Sequence, residues 1–331
     1  MAKKNKDTDY LFLSAHIRSL ERNLLTGARM ERMLDAADAA DAAKVLGEIG
    51  YEEFKPESEA ELNQALLKER EKLFAELYRF APDPRVMDVF KIKYDYHNLK
   101  TIIKARGEDV SRLLVDAGRI PAGELLKKYS DTGAWDFLPE TMRRAAVEAV
   151  AVLAETFDPQ RSDFILDRAY FEEMLTAAQE TRCDYLLCYV RATIDAANLR
   201  SIVRTLRMNR GLDFLKKVLF PGGTVPVDRV LHAAAGGNML ELYRSTVLRA
   251  AAEAGEAAVK GGSLTDFEKL CDDAVLHQVA TAKQVPFGPE VLIAYVAAKE
   301  TEFTAVRIIM AGRIAGLKPD VIRERLRESY V

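Results

Sequence analysis

The 331-residue chain sets 48 Lys and Arg against 51 Asp and Glu, a formal net charge of −3, with 30% of its residues charged. That balance gives no global basic field of the kind nucleic-acid binders usually carry, and no stretch approaches the roughly 20 apolar residues needed to cross a bilayer. The length is enough for two or three compact units with sizeable cores.

The first ten residues, MAKKNKDTDY, are polar, and LFLSAHIRSLERN is soon charged, so the apolar block of a secretory signal is missing. Leu13, Ile17, Leu20 and Leu24 then recur at helical spacing, and Leu62, Leu66, Leu73, Leu77 and Phe80 form a second stripe. APDPR at 81–85 should stop that helix, because Pro cannot continue it. Pro139, Pro159, Pro289 and Pro319 each precede a helical pattern and suit a first turn. Gly107, Gly211 and Gly316 follow periodic runs, as C-terminal caps do. PGG at 221–223 and the GG pairs at 236–237 and 261–262 read as turns. VLIAYVAA at 291–298 is a core segment by length, and strand signals are scarce, so the fold class is all-α. Cys183, Cys188 and Cys271, an odd number without CxxC, read as reduced thiols of a cytosolic protein.

One phrase occurs twice. DYHNLKTIIKA at 95–105 returns as DAANLRSIVRT at 195–205, with four identities and four conservative swaps. Each is preceded by a long helical pattern, at 61–77 and 163–178, and a third such pattern stands at 266–280. That spacing places a degraded third phrase at EFTAVRIIMAG, 302–312, with Glu302 for Asp, Ala305 for Asn and Val306 for Leu, while Arg307 keeps its place. The expected organisation is a helical lead-in at 1–57 packing on the first and last repeats. Repeats follow at 58–157, 158–262 and 263–331, the last shorter. The period of about 100 residues exceeds that of common solenoids, so each copy is a several-helix unit.

On a helix, Asp95, Leu99, Ile102 and Ile103 share one face with Asn98 at its edge, and Lys100 and Lys104 point away. Asp195, Leu199, Ile202 and Val203 repeat this face, with Asn198 at the edge and Arg200 and Arg204 outside. An acid beside an apolar stripe must find a helix N-terminus or an arginine, since an unpaired buried charge is costly. Asp95, Asn98, Leu99, Asp195, Asn198, Leu199, Glu302, Val306 and Arg307 are therefore read as a repeated packing device. Repetition argues against paired catalytic carboxylates, which must converge.

Catalytic signatures are missing: no phosphate loop, no G-x-G-x-x-G after a strand, no H-E-x-x-H and no G-x-S-x-G. His16, His97, His232 and His277 are scattered, and the CDYLLC cysteines fall on different helix faces, so no metal, cofactor or catalytic residue is assigned. Basic clusters at 204–210, 127–128, 216–217 and 323–327 read as solvated faces, the last as a terminal helix. The rival readings are an enzyme using Asp95, Asp195 or His97, a nucleic-acid binder using 204–217, and a free-standing helical-repeat scaffold.

The two phrases, the segment LIAYVAAKETEFTAVRIIMAGRIAGL at 292–317 and the N-terminal YLFLSAHIRSLERNLL resemble the C subunits of archaeal and bacterial V/A-type rotary ATPases, relatives of the d subunit of the vacuolar proton pump. The likeness spans essentially the whole chain. It implies three similar subdomains in a pseudo-threefold funnel, on the cytoplasmic face of the membrane. It further implies that the protein caps a proteolipid rotor ring, receives the central-shaft subunits and passes torque between them. It implies no nucleotide, cofactor, nucleic acid or small-molecule substrate.

Overall fold

The computed structural model describes residues 6–234 and 238–331, so the glycine pair at 236–237 lies outside the described residues. Among these the chain is helical, with no strand. The helices are α1 (Leu11–Leu20), α2 (Gly27–Leu34), α3 (Ala39–Gly47), α4 (Glu59–Phe80), α5 (Arg85–Ala105), α6 (Ala122–Thr132), α7 (Glu140–Thr156) and α8 (Pro159–Thr181). There follow α9 (Asp184–Arg207), α10 (Leu212–Val218), α11 (Val227–Ala234), α12 (Arg249–Val259), α13 (Leu264–Ala280), α14 (Pro289–Ile314) and α15 (Pro319–Arg323).

Local chemistry sets the boundaries. Ser58 Oγ accepts the Glu61 N–H at 3.3 Å while the Glu61 carboxylate accepts the Ser58 N–H at 3.0 Å, a capping box that opens α4. Ala81, held extended before Pro82, ends it. Pro159, Pro289 and Pro319 are the first residues of their helices, where a missing N–H costs nothing. Pro139 sits one place earlier, as the N-cap of α7. Gly107 and Gly316 follow α5 and α14 with positive φ, as caps do. Gly211 does not: it is the N-cap of α10, and α9 ends through Asn209 in the left-handed region, which Asn tolerates. Residues 324–327 are not helical either. Arg323 pairs with Glu31 at 2.8 Å and Arg327 with Asp272 at 2.9 Å, and Leu326 is buried, so this stretch is a docked tail.

One packing relation recurs. α5 lies on α8, α9 on α13 and α14 on α4; α7 and α12 add themselves to α8 and α13. α1, α2 and α3 all contact α14, and α1 also reaches α4. Every residue from Val291 to Ala298 is buried, so the apolar run anticipated from sequence lies in the core of the molecule. The Phe90 and Tyr189 rings, 5.2 Å apart, bring α5 to α9. Between α5 and α14, Glu300 accepts from Lys93 at 2.7 Å and from the Tyr94 hydroxyl at 2.6 Å, with Arg70 of α4 at 3.8 Å.

Burial pushes the Glu300 carboxyl pKa up. The charges of Lys93 and Arg70, with hydrogen bonds from Lys93 and Tyr94, outweigh it and hold the group below the ordinary glutamate value. A depressed folded pKa gives stability that is full above the unfolded value and is lost as pH falls through the folded one. Glu300→Gln should therefore cost about 3 kcal/mol at neutral pH. The gap from wild type in urea melts should narrow below about pH 4.5. A gap unchanged from neutral to acid pH would refute this assignment.

Candidate functional site

The repeated phrase builds a clasp. Asp95 on α5 is fully buried; its Oδ1 accepts the backbone N–H of Arg119 at 2.8 Å and of Ile120 at 3.1 Å, and its Oδ2 accepts from Arg119 Nε at 2.7 Å. Asn98, one turn on, donates to the Val115 carbonyl and accepts the Val115 N–H, each at 2.8 Å. Asp195 on α9 does the same to another loop: it accepts the N–H groups of Thr224 at 2.9 Å and Val225 at 3.1 Å. Asn198 exchanges two bonds with the Phe220 backbone, each at 2.8 Å. Leu99 and Leu199, and Val306 at the same place in the third phrase, are wholly buried.

In both copies a glycine permits the approach. A Cβ on Gly118 would overlap the Asp95 carboxylate, and one on Gly223 would overlap that of Asp195. Neither glycine needs an unusual φ; close approach alone demands it. Sequence reasoning missed this half of the device, although GRIP at 118–121 and GTVP at 223–226 spell it twice as Gly-x-β-branched-Pro.

The third phrase clasps a segment from the other end of the chain. Glu302 is buried and accepts the Leu25 N–H at 2.8 Å, the Tyr51 hydroxyl at 2.7 Å and the Lys299 ammonium. Glutamate in place of aspartate adds a methylene of reach toward a strand of chain that does not follow its own helix.

The basic residues of the phrase leave the apolar face and cross to the next helix. Lys100 and Lys104 of α5 pair with Asp167 and Asp163 of α8. Arg200 and Arg204 of α9 pair with Asp272 and Glu268 of α13. Arg307 of α14 donates to the neutral amide of Asn63 on α4. Much of the 204–210 cluster is thus tied down, since Arg207 also donates to the Ala258 and Gly262 carbonyls at 3.3 and 2.9 Å. In the first copy Arg119 continues to Glu173 of α8 at 2.6 Å, and the Tyr96 hydroxyl donates to the same carboxylate at 2.8 Å.

Burial raises the pKa of Asp95, against the pull of Arg119 and of two backbone N–H groups. Burial likewise raises Asp195, countered by the N–H groups of Val225 and Thr224. The two acids serve separate loops and share no hydrogen-bond partner. His97 contacts the Leu113 carbonyl at 3.3 Å, His16 meets Glu76 at 2.7 Å and His277 meets Glu328 at 2.6 Å. The clasps hold chain in place, each aspartate turned onto backbone N–H groups of its own loop.

A profile of the family described as "ATP synthase (C/AC39) subunit" matches residues 13–325. The chain is 27% identical to the C subunit of the V-type sodium ATPase of Enterococcus hirae, over 97% of this chain and 99% of that one. It is 28% identical to the C subunit of the A-type ATP synthase of Methanocaldococcus jannaschii, over 96% and 86% of the two chains. It is 26% identical to the C subunit of the V-type ATP synthase of Thermus thermophilus, over 93% and 94%.

Asp195→Ala should orphan two backbone N–H groups and lower the stability read from urea melts by about 3 kcal/mol. Gly223→Ala and Gly118→Ala should each cost about 2–4 kcal/mol by forcing the carboxylate off its partners. Gly123→Ala, which meets nothing within 4 Å, should be neutral or slightly stabilising. Equal urea midpoints for Gly123→Ala and Gly223→Ala would show that the clasp is loose.

Proposed function

The chain belongs to the ATP synthase (C/AC39) subunit family, and on that premise we propose that it is a non-catalytic coupling subunit in the central stalk of a V/A-type rotary ATPase. It sits peripherally on the cytoplasmic face of the membrane, caps the proteolipid rotor ring, receives the foot of the central shaft and carries torque between them. Among the described residues no helix is long and apolar enough to cross a membrane.

The observation that carries this reading is the way three long helices are locked. α5, α9 and α14 are fastened to a loop or segment by a buried acid and to the next helix by a cation. A part that transmits torque must not yield internally, and close-packed cores with fixed polar contacts transmit strain. We take 58–157, 158–262 and 263–331 as three similar units around a pseudo-threefold axis. The N-terminal segment completes the third: α3 leads into α4 as α7 leads into α8 and α12 into α13. The segment around Leu25 meets Glu302 as the loops meet Asp95 and Asp195.

The test uses membranes of the source cell. Tagged chain, purified from detergent-solubilised membranes, should bring down the ATPase catalytic subunits and a small proteolipid. Membranes stripped of it should release the catalytic sector and lose ATP-driven ion pumping, and adding it back should restore both. Pumping that survives its complete removal would overturn the coupling role and favour a free-standing scaffold.

A further inference from the structure

A groove between α7 and α8 belongs to none of the clasps. It has a volume of about 310 Å³ and a floor of Ala145, Val152, Phe164, Ile165 and Ala169. Four cations and two acids line it. At one end Arg144 meets Glu172 at 3.2 Å. The other end is basic. Among the described residues Arg161 stands 3.6 Å from Asp158, Arg168 donates to the backbone carbonyls of Lys216 and Leu219 at 3.3 and 3.4 Å and to no carboxylate, and Lys217 has no carboxylate partner.

The clasp ladder fixes which residues correspond between copies: Asp163 and Asp167 of α8 answer to Glu268 and Asp272 of α13. By that register, with Asn63 of α4 in the place of Asp167 and Asp272, Arg161 and Arg168 answer to Asp266 and Asp273 in the α13 copy, and to Glu57 and Gln64 in the α4 copy. Neither other copy repeats the arginine pair, so the fold does not require it. What remains is an apolar channel with an excess of positive charge at one end, where three cations face the single carboxylate of Asp158.

We propose that this groove docks an acidic amphipathic helix of a partner protein. α7 and α8 are joined by Phe157 and Asp158 alone and pack along each other, forming a hairpin whose outer groove accepts a third helix. Arg161 to Glu172 spans about 16 Å of α8, about three turns of a bound helix. Its apolar face covers Phe164 and Ile165, and its acids meet Arg161, Arg168 and Lys217. An anionic membrane fits less well: the cations flank a channel between helices, and Glu148 and Glu172 on the same rim would repel a continuous negative surface. Docking here is independent of the coupling role.

The test is fluorescence anisotropy on the full chain. The probe is a labelled model helix of about 16 residues, with Leu along one face and Glu beside it. Binding should saturate, fall as salt rises, and weaken at least about tenfold with Lys217→Glu, with Arg168→Glu and with a probe carrying Gln for Glu. Lys217→Glu touches only the exposed rim and guards against misfolding, and Arg249→Glu on α12 should leave binding unchanged. Absence of saturable binding, or binding indifferent to both groove variants, would overturn the proposal. So would co-sedimentation with phosphatidylserine–phosphatidylcholine vesicles by a chain that ignores the peptide.

Discussion

A buried carboxylate that must find donors is the constraint from which the rest of the structure follows. Asp95 and Asp195 lie on the inward face of long helices, where an unpaired charge would cost several kcal/mol. Each is satisfied by successive backbone N–H groups of a loop roughly two dozen to thirty residues downstream in sequence. That solution fixes the loop, and the loop fixes where α6 and α11 begin, since Pro121 and Pro226 follow directly. It also requires a residue without a side chain opposite the acid, which is why Gly118 and Gly223 stand where they do. One polar residue thereby sets the path of the whole loop that follows its helix.

The charges divide into two populations with opposite consequences. Asp95 and Asp195 keep a raised pKa, so the folded chain holds their protons more tightly than the unfolded one and acid does not undo these two clasps. Glu300, where α4, α5 and α14 meet, has a depressed pKa and is sensitive to acid. The ladder between helices is more exposed, and each such pair adds little stability alone. Its value lies in register, because two cations one turn apart on α5 or α9 meet two acids one turn apart on the next helix in only one alignment.

The sequence disclosed the all-helical class, the stripes and the doubled phrase, because each rests on a period that local residues repeat. Asp95 and Asn98 were legible as a pair since an acid on an apolar face has few physical options. Their partners were not. Val115 and Arg119 lie beyond a turn whose path depends on tertiary packing, and the Gly-x-β-branched-Pro echo means nothing until the acid opposite is known. Gly211 misled for a similar reason: a glycine after a helical run reads as a terminus, and only φ shows that it opens α10. The ladder was hidden because helix periodicity tells which residues leave the core, not what they meet.

The departures of the third copy have one cause. The segment at 25–31 and the C-terminal segment lie in the same region: Leu25 meets Glu302 and Ser329, and Glu31 meets Arg323. In the first two copies the clasped loop follows its helix through continuous chain, so a short aspartate suffices. Here the clasped segment arrives from nearly 280 residues away in sequence, and contacts must supply what connectivity supplies elsewhere. Glu302 therefore reaches further and recruits Tyr51 and Lys299. Arg18 of α1 adds two bonds to the Ala282 and Val285 carbonyls, each at 2.7 Å, strapping the N-terminal helix to the turn before α14. The opposite seam, α14 on α4, gives up the ion pair for Arg307 and Asn63 but gains Arg70, which reaches Glu300 and lies over the Phe303 ring at 4.7 Å. The degraded phrase is thus the same device refitted to a junction that the backbone does not close.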